Sequence, residues 1–317
     1  MKKSAIAFYN TENFFDFTDD PKKFDNEYSP SGSLKWTQKR YENKLRKISN
    51  VISEIGKKET NWPPLFIGLA EIENEKVLKD LIYSQNLAEY NYNFIHFESL
   101  DERGIDNALL YRKSYIQPIH SEPIRMTFET DSGRIDYTRD MLYVKLRLEE
   151  KILHTFVVHL PSRRDDDVNL CFRNLLLETL RNRVDQIFEE EPNASIILMG
   201  DFNGNPNDEH AMRILKINGN PEISDTEMYN PMLKIGHGRG SLKHLGEWIL
   251  FDQIIFSKSF LSTDNGNITF EKAEIYNDNS IRDWDRKFKG SPFRTYAGTK
   301  YLGGYSDHFP VYAIINY

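Results

Sequence analysis

Several apolar runs of this chain each end in a side chain that can ligate a metal or move a proton. AIAFYN delivers Asn10, FIGLAE delivers Glu71, FVVH delivers His159, ILMGDFN delivers Asp201 and Asn203, and YSDHFPVY carries Asp307 and His308 just ahead of the last run. Read as strands, these runs bring their polar ends to one edge of a sheet, and ligands of open α/β sheets bind in the crevice at strand ends. Taken singly, each residue has an ordinary reading. A Glu after a strand is more often a cap or a surface residue, a DxN turn is usually only a turn, and a lone His is usually structural. The combination is what argues for a site.

The residue types suggest which chemistry. A carboxylate at Glu71, ending an apolar strand, must be ligated, paired or solvated, because burying it alone is costly. With Asn10 and Asp307 it offers oxygen ligands to Mg²⁺ (or Mn²⁺); Mg²⁺ takes one or two carboxylates and keeps waters to meet a substrate phosphate. No Cys/His spacing suits zinc. Asp201 and Asn203 fall on the same side of an extended backbone, where an Asp can orient an attacking water and an Asn can donate to a nucleophile or a phosphoryl oxygen. Asp252, in LFDQIIFS, is placed to hold His308 in one tautomer and favour its protonated form. His159 suits a non-bridging or leaving phosphate oxygen, with Asp106 of GIDNALLYR as its candidate partner. Arg139, which opens a strand in YTRDMLYVK, and Arg163 and Arg164 after His159 offer guanidinium forks to phosphate. Asp165, Asp166 and Asp167 follow that second pair at once, so a self-satisfied surface loop competes there.

The elements that must position these residues alternate along the chain. Apolar residues Tyr41, Leu45, Ile48, Ile52 and Ile55 recur at helical spacing and predict an amphipathic helix ending near Gly56. Asn74 is a candidate cap for a second helix. Leu175, Leu176, Leu180, Val184, Ile187 and Phe188 predict a third, from about Asn169 to Glu190, and a short one follows from about Asp208. Strands are read at YNFIHFE, NALLYR, MLYVKLRL, ILHTFVVH, ASIILMGD, DQIIFS, NITFEKAEIY and FPVYAII. The polar stretch from Asn10 to Trp36 reads as a long loop, functional or mobile. Several strands adjoin without a helix between them, which favours mixed sheets.

The chain has 317 residues, 39% of them hydrophobic, enough for a real core. Because Asn10 and His308 should meet in one site, residues 1–317 read as a single domain. The lone cysteine, Cys171, has apolar neighbours that favour a buried packing role. No apolar run approaches the roughly 20 residues that span a bilayer, and the apolar stretch after Met1 is too short for a secretory core. The protein therefore reads as cytoplasmic, without membrane insertion, and no protein partner can be inferred. A net charge of −7 argues against coating duplex DNA through a general positive field. Two loops are nevertheless basic: Arg282–Tyr305, with six Lys/Arg against Asp283 and Asp285, and Pro231–Glu247, with Lys234, Arg239 and Lys243 against Glu247. An anionic substrate at the motif edge fits them, and two solvated loops are the plain alternative.

Assembled, these motifs resemble the endonuclease/exonuclease/phosphatase family, whose fold is like that of deoxyribonuclease I. The resemblance runs from Asn10 to His308 and rests on the ordered series of an early strand-end Asn, a Glu after a strand, a strand-end His, GDFN, DQII and SDH. It implies an α+β (mixed α/β) four-layer sandwich, two packed mixed β-sheets flanked by helices, and divalent-metal hydrolysis of phosphoesters. By motif position it implies Glu71 as principal metal ligand, assisted by Asn10 and Asp307. Asp201 and Asn203 would position the water, and His308 with Asp252 would act as general base or phosphate-binding acid. His159 would stabilise the pentacovalent phosphate and Arg139 would clamp the substrate. GRGSLKHLGEW, with Ser241 and Trp248, resembles a phosphate-side loop of bacterial members. A hydrolase acting on phosphodiesters is the leading reading, with nucleic acid as substrate. The alternative is a phosphatase or phosphodiesterase for a small phosphorylated sugar, polyol or lipid headgroup, and a third reading is a non-catalytic binding protein on the same fold.

Overall fold

The computed structural model describes residues 2–129, 135–162, 170–236, 238–262, 267–285 and 288–317. In chain order the principal strands are β1 (Lys3–Phe14), β2 (Phe66–Ile72), β3 (Tyr92–His96), β4 (Asp106–Arg112), β5 (Ile116–Ile124), β6 (Met141–Leu148), β7 (Lys151–His159), β8 (Ser195–Asp201), β9 (Ile217–Asn218), β10 (Met228–Tyr229), β11 (Asp252–Ser257), β12 (Thr269–Ile275) and β13 (Val311–Asn316). One sheet has the order β12-β13-β1-β2-β4-β3 and the other β9-β10-β11-β8-β7-β6-β5. Helices α1 (Gln38–Glu54) and α2 (Glu75–Ile82) pack with the first sheet. Helices α3 (Leu170–Glu190) and α4 (Glu209–Leu215) pack with the second. The result is four layers: helices, sheet, sheet, helices.

The strand pairing explains why the polar ends converge. β1 and β2 are parallel, as are β7 and β8, so Asn10 and Glu71 in one pair, and His159 and Asp201 in the other, lie at the same ends of their strands. β11 and β13 run antiparallel to their neighbours β8 and β1. An antiparallel strand starts where its neighbour finishes, which brings Asp252, and the Asp307–His308 pair just before β13, to that same edge.

Side-chain alternation sorts β8 between two cores. Ile197 and Met199 join the core shared by the sheets, whereas Ile196 and Leu198 pack with Leu176, Leu180 and Val184 of α3. Each such side chain contributes roughly 1.5–3 kcal/mol when fully buried. Burial on both faces is why the run reads as continuously apolar rather than alternating. Where the sheets approach, a Cβ on Gly68 would stand 2.9 Å from Met199 Sδ.

Local signals set the helix ends. Gly56 takes φ 69° beyond α1, a conformation that costs glycine little. Asn74 caps α2, accepting from the Val77 N–H at 3.0 Å. The structure departs from the sequence reading at four points. Cys171 is exposed, and so is Leu175. The buried stripe of α3 runs through Leu176, Leu177, Leu180, Val184, Ile187 and Phe188, which leaves the face four residues apart through Cys171 and Leu175 to water. β5 is a strand that the sequence reading passed over; its Pro118 and Pro123 suit a sheet edge, where it lies. The stretch up to Trp36 is anchored: the Trp36 indole donates to the Phe15 carbonyl at 3.0 Å, and Tyr28 stacks on Phe15 at 4.2 Å between centroids.

Candidate active site

The edge of the sandwich gathers its side chains through backbone irregularities. Glu71 sits at φ 65°, where the pairing of β2 with both β1 and β4 slips register. Such a bulge re-aims a side chain. Glu12 and Asn13 also have positive φ, 54° and 48°, kinking the end of β1 so that the Asn13 N–H meets Glu71 Oε2 at 2.6 Å. Strained non-glycine backbone of this kind clusters at functional sites.

From there a series of polar contacts crosses both sheets. Glu71 Oε1 lies 3.9 Å from His159 Nε2, which lies 3.7 Å from Asp201 Oδ2. Asp201 Oδ2 accepts from Asn10 Nδ2 at 3.1 Å and stands 3.9 Å from His308 Nε2. His308 Nδ1 and Asp252 Oδ2 are hydrogen-bonded at 2.7 Å. His159, Asp201 and Asp252 are register neighbours on β7, β8 and β11, so the sheet itself lines them up. Arg139 is buried just before β6, with Nε 3.7 Å from Asp101 Oδ2, and its Nε and Nη1 have no hydrogen-bond partner among the described residues.

The two histidines are held in opposite states. Burial lowers the His159 pKa well below its usual value, helped by the positive charges of Arg139, Arg103 and His308. Burial pulls on His308 in the same sense, yet Asp252, Asp307 and Asp201 outweigh it and raise its pKa well above the ordinary value. Asp201 is pushed up to about 7 by burial and the nearby Asp252, against the lowering effect of His308, the Asn203 N–H and Asn10.

Some expected residues take other places. Asp106 does not partner His159. It accepts from the Ser99 N–H at 3.1 Å and lies 3.7 Å from His96 Nε2, while His159 Nδ1 has no hydrogen-bond partner among the described residues. Ser241 is fully buried, and its hydroxyl takes the Asp252 N–H at 3.4 Å, so it supports Asp252 from behind instead of facing a phosphate. Asn203 is not on extended backbone: at φ 45° its N–H turns back to Asp201 Oδ1 at 2.9 Å, and its Nδ2 donates to the Leu160 carbonyl at 2.8 Å. That side chain ties the end of β7 to the end of β8. Asp307 is half-buried beside His308. Arg163 and Arg164 lie outside the described residues.

Residues that the sequence reading missed also stand here. Lys44 of α1, almost fully buried, donates to the Glu12 carbonyl at 2.6 Å and to Thr295 Oγ1 at 2.7 Å, with Glu12 Oε2 3.8 Å away. The Glu12 carboxylate is pushed up to about 7 by burial and by Asp307, despite Lys44. Arg103 reaches Asn13 Oδ1 at 2.9 Å. Glu12, two residues after Asn10, was the one signal that could have found this group.

Among the described residues, Asp201, Asp252 and His308 offer ligand atoms within 4.8 Å of one another and could hold a metal ion. No helix among these residues is long and apolar enough to cross a membrane. Compared with known families, residues 5–317 match the Endonuclease/Exonuclease/phosphatase family. The chain belongs to that family. It is accordingly a phosphoesterase-type hydrolase on a deoxyribonuclease I-like fold. No curated protein matches it. Solved structures similar to it include the mannosyl-6-phosphatase of Bacteroides thetaiotaomicron VPI-5482, at 14% identity and TM-score 0.61 over 99% of this chain and 100% of that one. D. rerio TDP2 complexed with single-strand DNA product is similar at 16% identity and TM-score 0.57 over 99% of both chains. An endonuclease/exonuclease/phosphatase from Bacteroides vulgatus is similar at 14% identity and TM-score 0.58, over 100% and 99%. At these identities the likeness concerns the fold.

Proposed function

We propose that residues 1–317 form one catalytic domain that hydrolyses phosphoester bonds by direct attack of water, with Mg²⁺ (or Mn²⁺) held at Glu71 and assisted by Asn10 and Asp307. The observation that carries this reading is the continuous line of contacts Glu71–His159–Asp201–His308–Asp252 at a single edge. The donor set fits a hard cation: Glu71, Asn10 and Asp307 offer oxygens, and Glu12 and Asp201 are pushed up to about 7 by burial first and by a neighbouring carboxylate second. At Asp201, Asp252 and His308 the carboxylates raise the His308 pKa well above its ordinary value, which favours a proton as the occupant there.

A bound Mg²⁺ would polarise a phosphoryl oxygen and offset its charge. Asp201, ionised, accepts a hydrogen bond from the water and orients it, steadied by Asn10 and by the Asn203 turn. His308, kept protonated by Asp252, donates to a phosphate oxygen. His159, kept neutral, donates one N–H to another. The Arg139 guanidinium, whose Nε and Nη1 carry no hydrogen bond among the described residues, suits developing negative charge on phosphorus oxygens. Nucleic acid is one substrate class and a small phosphoester the other, and the similar structures include one of each: a complex with single-strand DNA product and a mannosyl-6-phosphatase.

The test is Glu71→Gln with Mg²⁺ or EDTA, on supercoiled plasmid and on p-nitrophenyl phosphate. Turnover should fall by about 100-fold or more in the variant and vanish in EDTA. Wild-type rates in Glu71→Gln would remove Glu71 from the mechanism.

A further inference from the structure

Next to Glu71 the surface opens into a cavity of about 370 Å³, within the roughly 300–1,000 Å³ of typical small-ligand pockets. Its wall includes Asn13, whose N–H holds Glu71 Oε2. Glu12, Glu27, Tyr28, Trp36, Tyr296 and Thr299 supply the rest of the chemistry. The frame is rigid. The Glu12 carboxylate accepts the Thr295 N–H at 2.6 Å and the Tyr296 N–H at 3.4 Å. The Tyr296 hydroxyl donates to the Leu34 carbonyl at 3.0 Å, and the Trp36 indole and Tyr28 ring are both fastened to Phe15. Within this frame the Glu27 carboxylate and the Tyr28 and Thr299 hydroxyls have no hydrogen-bond partner among the described residues, so they are available to a ligand.

The charge of the cavity decides what enters. Two carboxylates line it and, among the described residues, no Lys or Arg does. Of the basic loop residues, Arg239 pairs with Glu274 at 2.9 Å, and Arg282 donates to the Asn277 carbonyl at 2.7 Å. A nucleic-acid strand leaving the site through this cavity would bring its next phosphate against Glu27, where like charges repel, and against Glu12, whose charge Lys44 offsets from 3.8 Å. Carboxylates and hydroxyls that accept and donate, between aromatic rings, instead match a neutral group bearing several hydroxyls.

Resting on the hydrolytic reading above, we propose that this cavity is the leaving-group subsite and takes the sugar or polyol of a small phosphomonoester, not a nucleotide chain. In the reaction, the water oxygen bonds to phosphorus as the phosphorus–oxygen bond to the polyol breaks. The departing oxygen gains the proton that the water gives up, and the products are inorganic phosphate and the free polyol.

The experiment compares hexose, pentose and polyol monophosphates with p-nitrophenyl phosphate and a single-stranded oligonucleotide, all with Mg²⁺, for wild type and for Glu27→Gln, Tyr28→Phe and Thr299→Val. Binding of the same sugar phosphates is followed separately in EDTA by tryptophan fluorescence. A sugar or polyol phosphate should be the best substrate, and its kcat/KM relative to p-nitrophenyl phosphate should fall about tenfold in at least one variant through KM, as expected for one lost hydrogen bond. A higher kcat/KM on the oligonucleotide than on every sugar or polyol phosphate, or a ratio unmoved in all three variants, overturns the subsite. Hydrolysis of p-nitrophenyl phosphate without binding or turnover of any sugar phosphate overturns the subsite and leaves the hydrolytic reading standing. Sugar-phosphate binding that the variants weaken, with no ester hydrolysed, does the reverse.

Discussion

His308 and His159 are the same residue type pushed to opposite protonation states by their neighbours, and pairs of titratable groups driven apart in this way mark active sites. Both are buried, and burial alone would make both neutral. The carboxylates of Asp252, Asp307 and Asp201 reverse that for His308 only, whereas His159 has Arg139 and Arg103 close by. Because the His308 pKa is raised, the stabilisation from its pairing is fully present below about 6.5 and is lost as pH rises through the raised value. Activity that depends on the imidazolium falls over the same alkaline range. Asp252→Asn should therefore lower kcat by about 10²–10⁴-fold and move the alkaline limb of the kcat/KM profile to lower pH, with the imidazole titration followed by NMR. An unmoved limb would mean that His308 is not the proton donor.

At the scale of elements, the kinked end of β1 is held by a helix, not by its own sheet. Lys44 reaches from α1 to the Glu12 carbonyl and to Thr295, binding β1, α1 and the segment that leads into Asp307 and His308. Losing one member of a buried ion pair leaves the other charge uncompensated and typically costs about 3–5 kcal/mol. Lys44→Met should show a loss of that order in denaturant unfolding, with part of it regained when Glu12→Gln is added. A loss below about 1 kcal/mol, the usual worth of an exposed ion pair, would mean that the pair does not bear on the fold. The exposure of Cys171 belongs to this scale as well. Its apolar neighbours are real, but the 3.6-residue period places it opposite the stripe that faces β8.

For the molecule as a whole, negative charge collected at one edge couples stability to pH and to metal. Glu12 and Asp201 have their pKa values raised to about 7, by burial first and by a neighbouring carboxylate second. A carboxylate with a raised folded pKa holds its proton more tightly when folded, so its contribution diminishes as pH rises from the ordinary carboxylate range to about 7. A cation that binds only the folded state offsets that loss by mass action. Mg²⁺ should therefore raise Tm more at pH 8 than at pH 6 in scanning calorimetry, and Glu71→Gln should abolish the difference. Equal shifts at the two pH values would separate the metal from these carboxylates.

What the sequence by itself determined was local: the helical period from Gln38 to Glu54, the cap at Asn74, the apolar strands and the polar residue at the end of each. Those follow from side-chain spacing and from the backbone geometry of single elements, so a reading of neighbours along the chain recovers them. Partnership was decided only in three dimensions. Asp106 faces His96, Ser241 supports Asp252, and Glu12 enters the site because β1 kinks beside Glu71. Such choices depend on which strands pair, in which direction and with which bulges, and so on contacts that no local spacing specifies, from the 11 positions between Ser241 and Asp252 to the 191 between Asn10 and Asp201. The His308–Asp252 pair was expected from the motifs and is present, but Asn10 meets Asp201 because two sheets pack with their polar edges aligned, and no local pattern contains that packing.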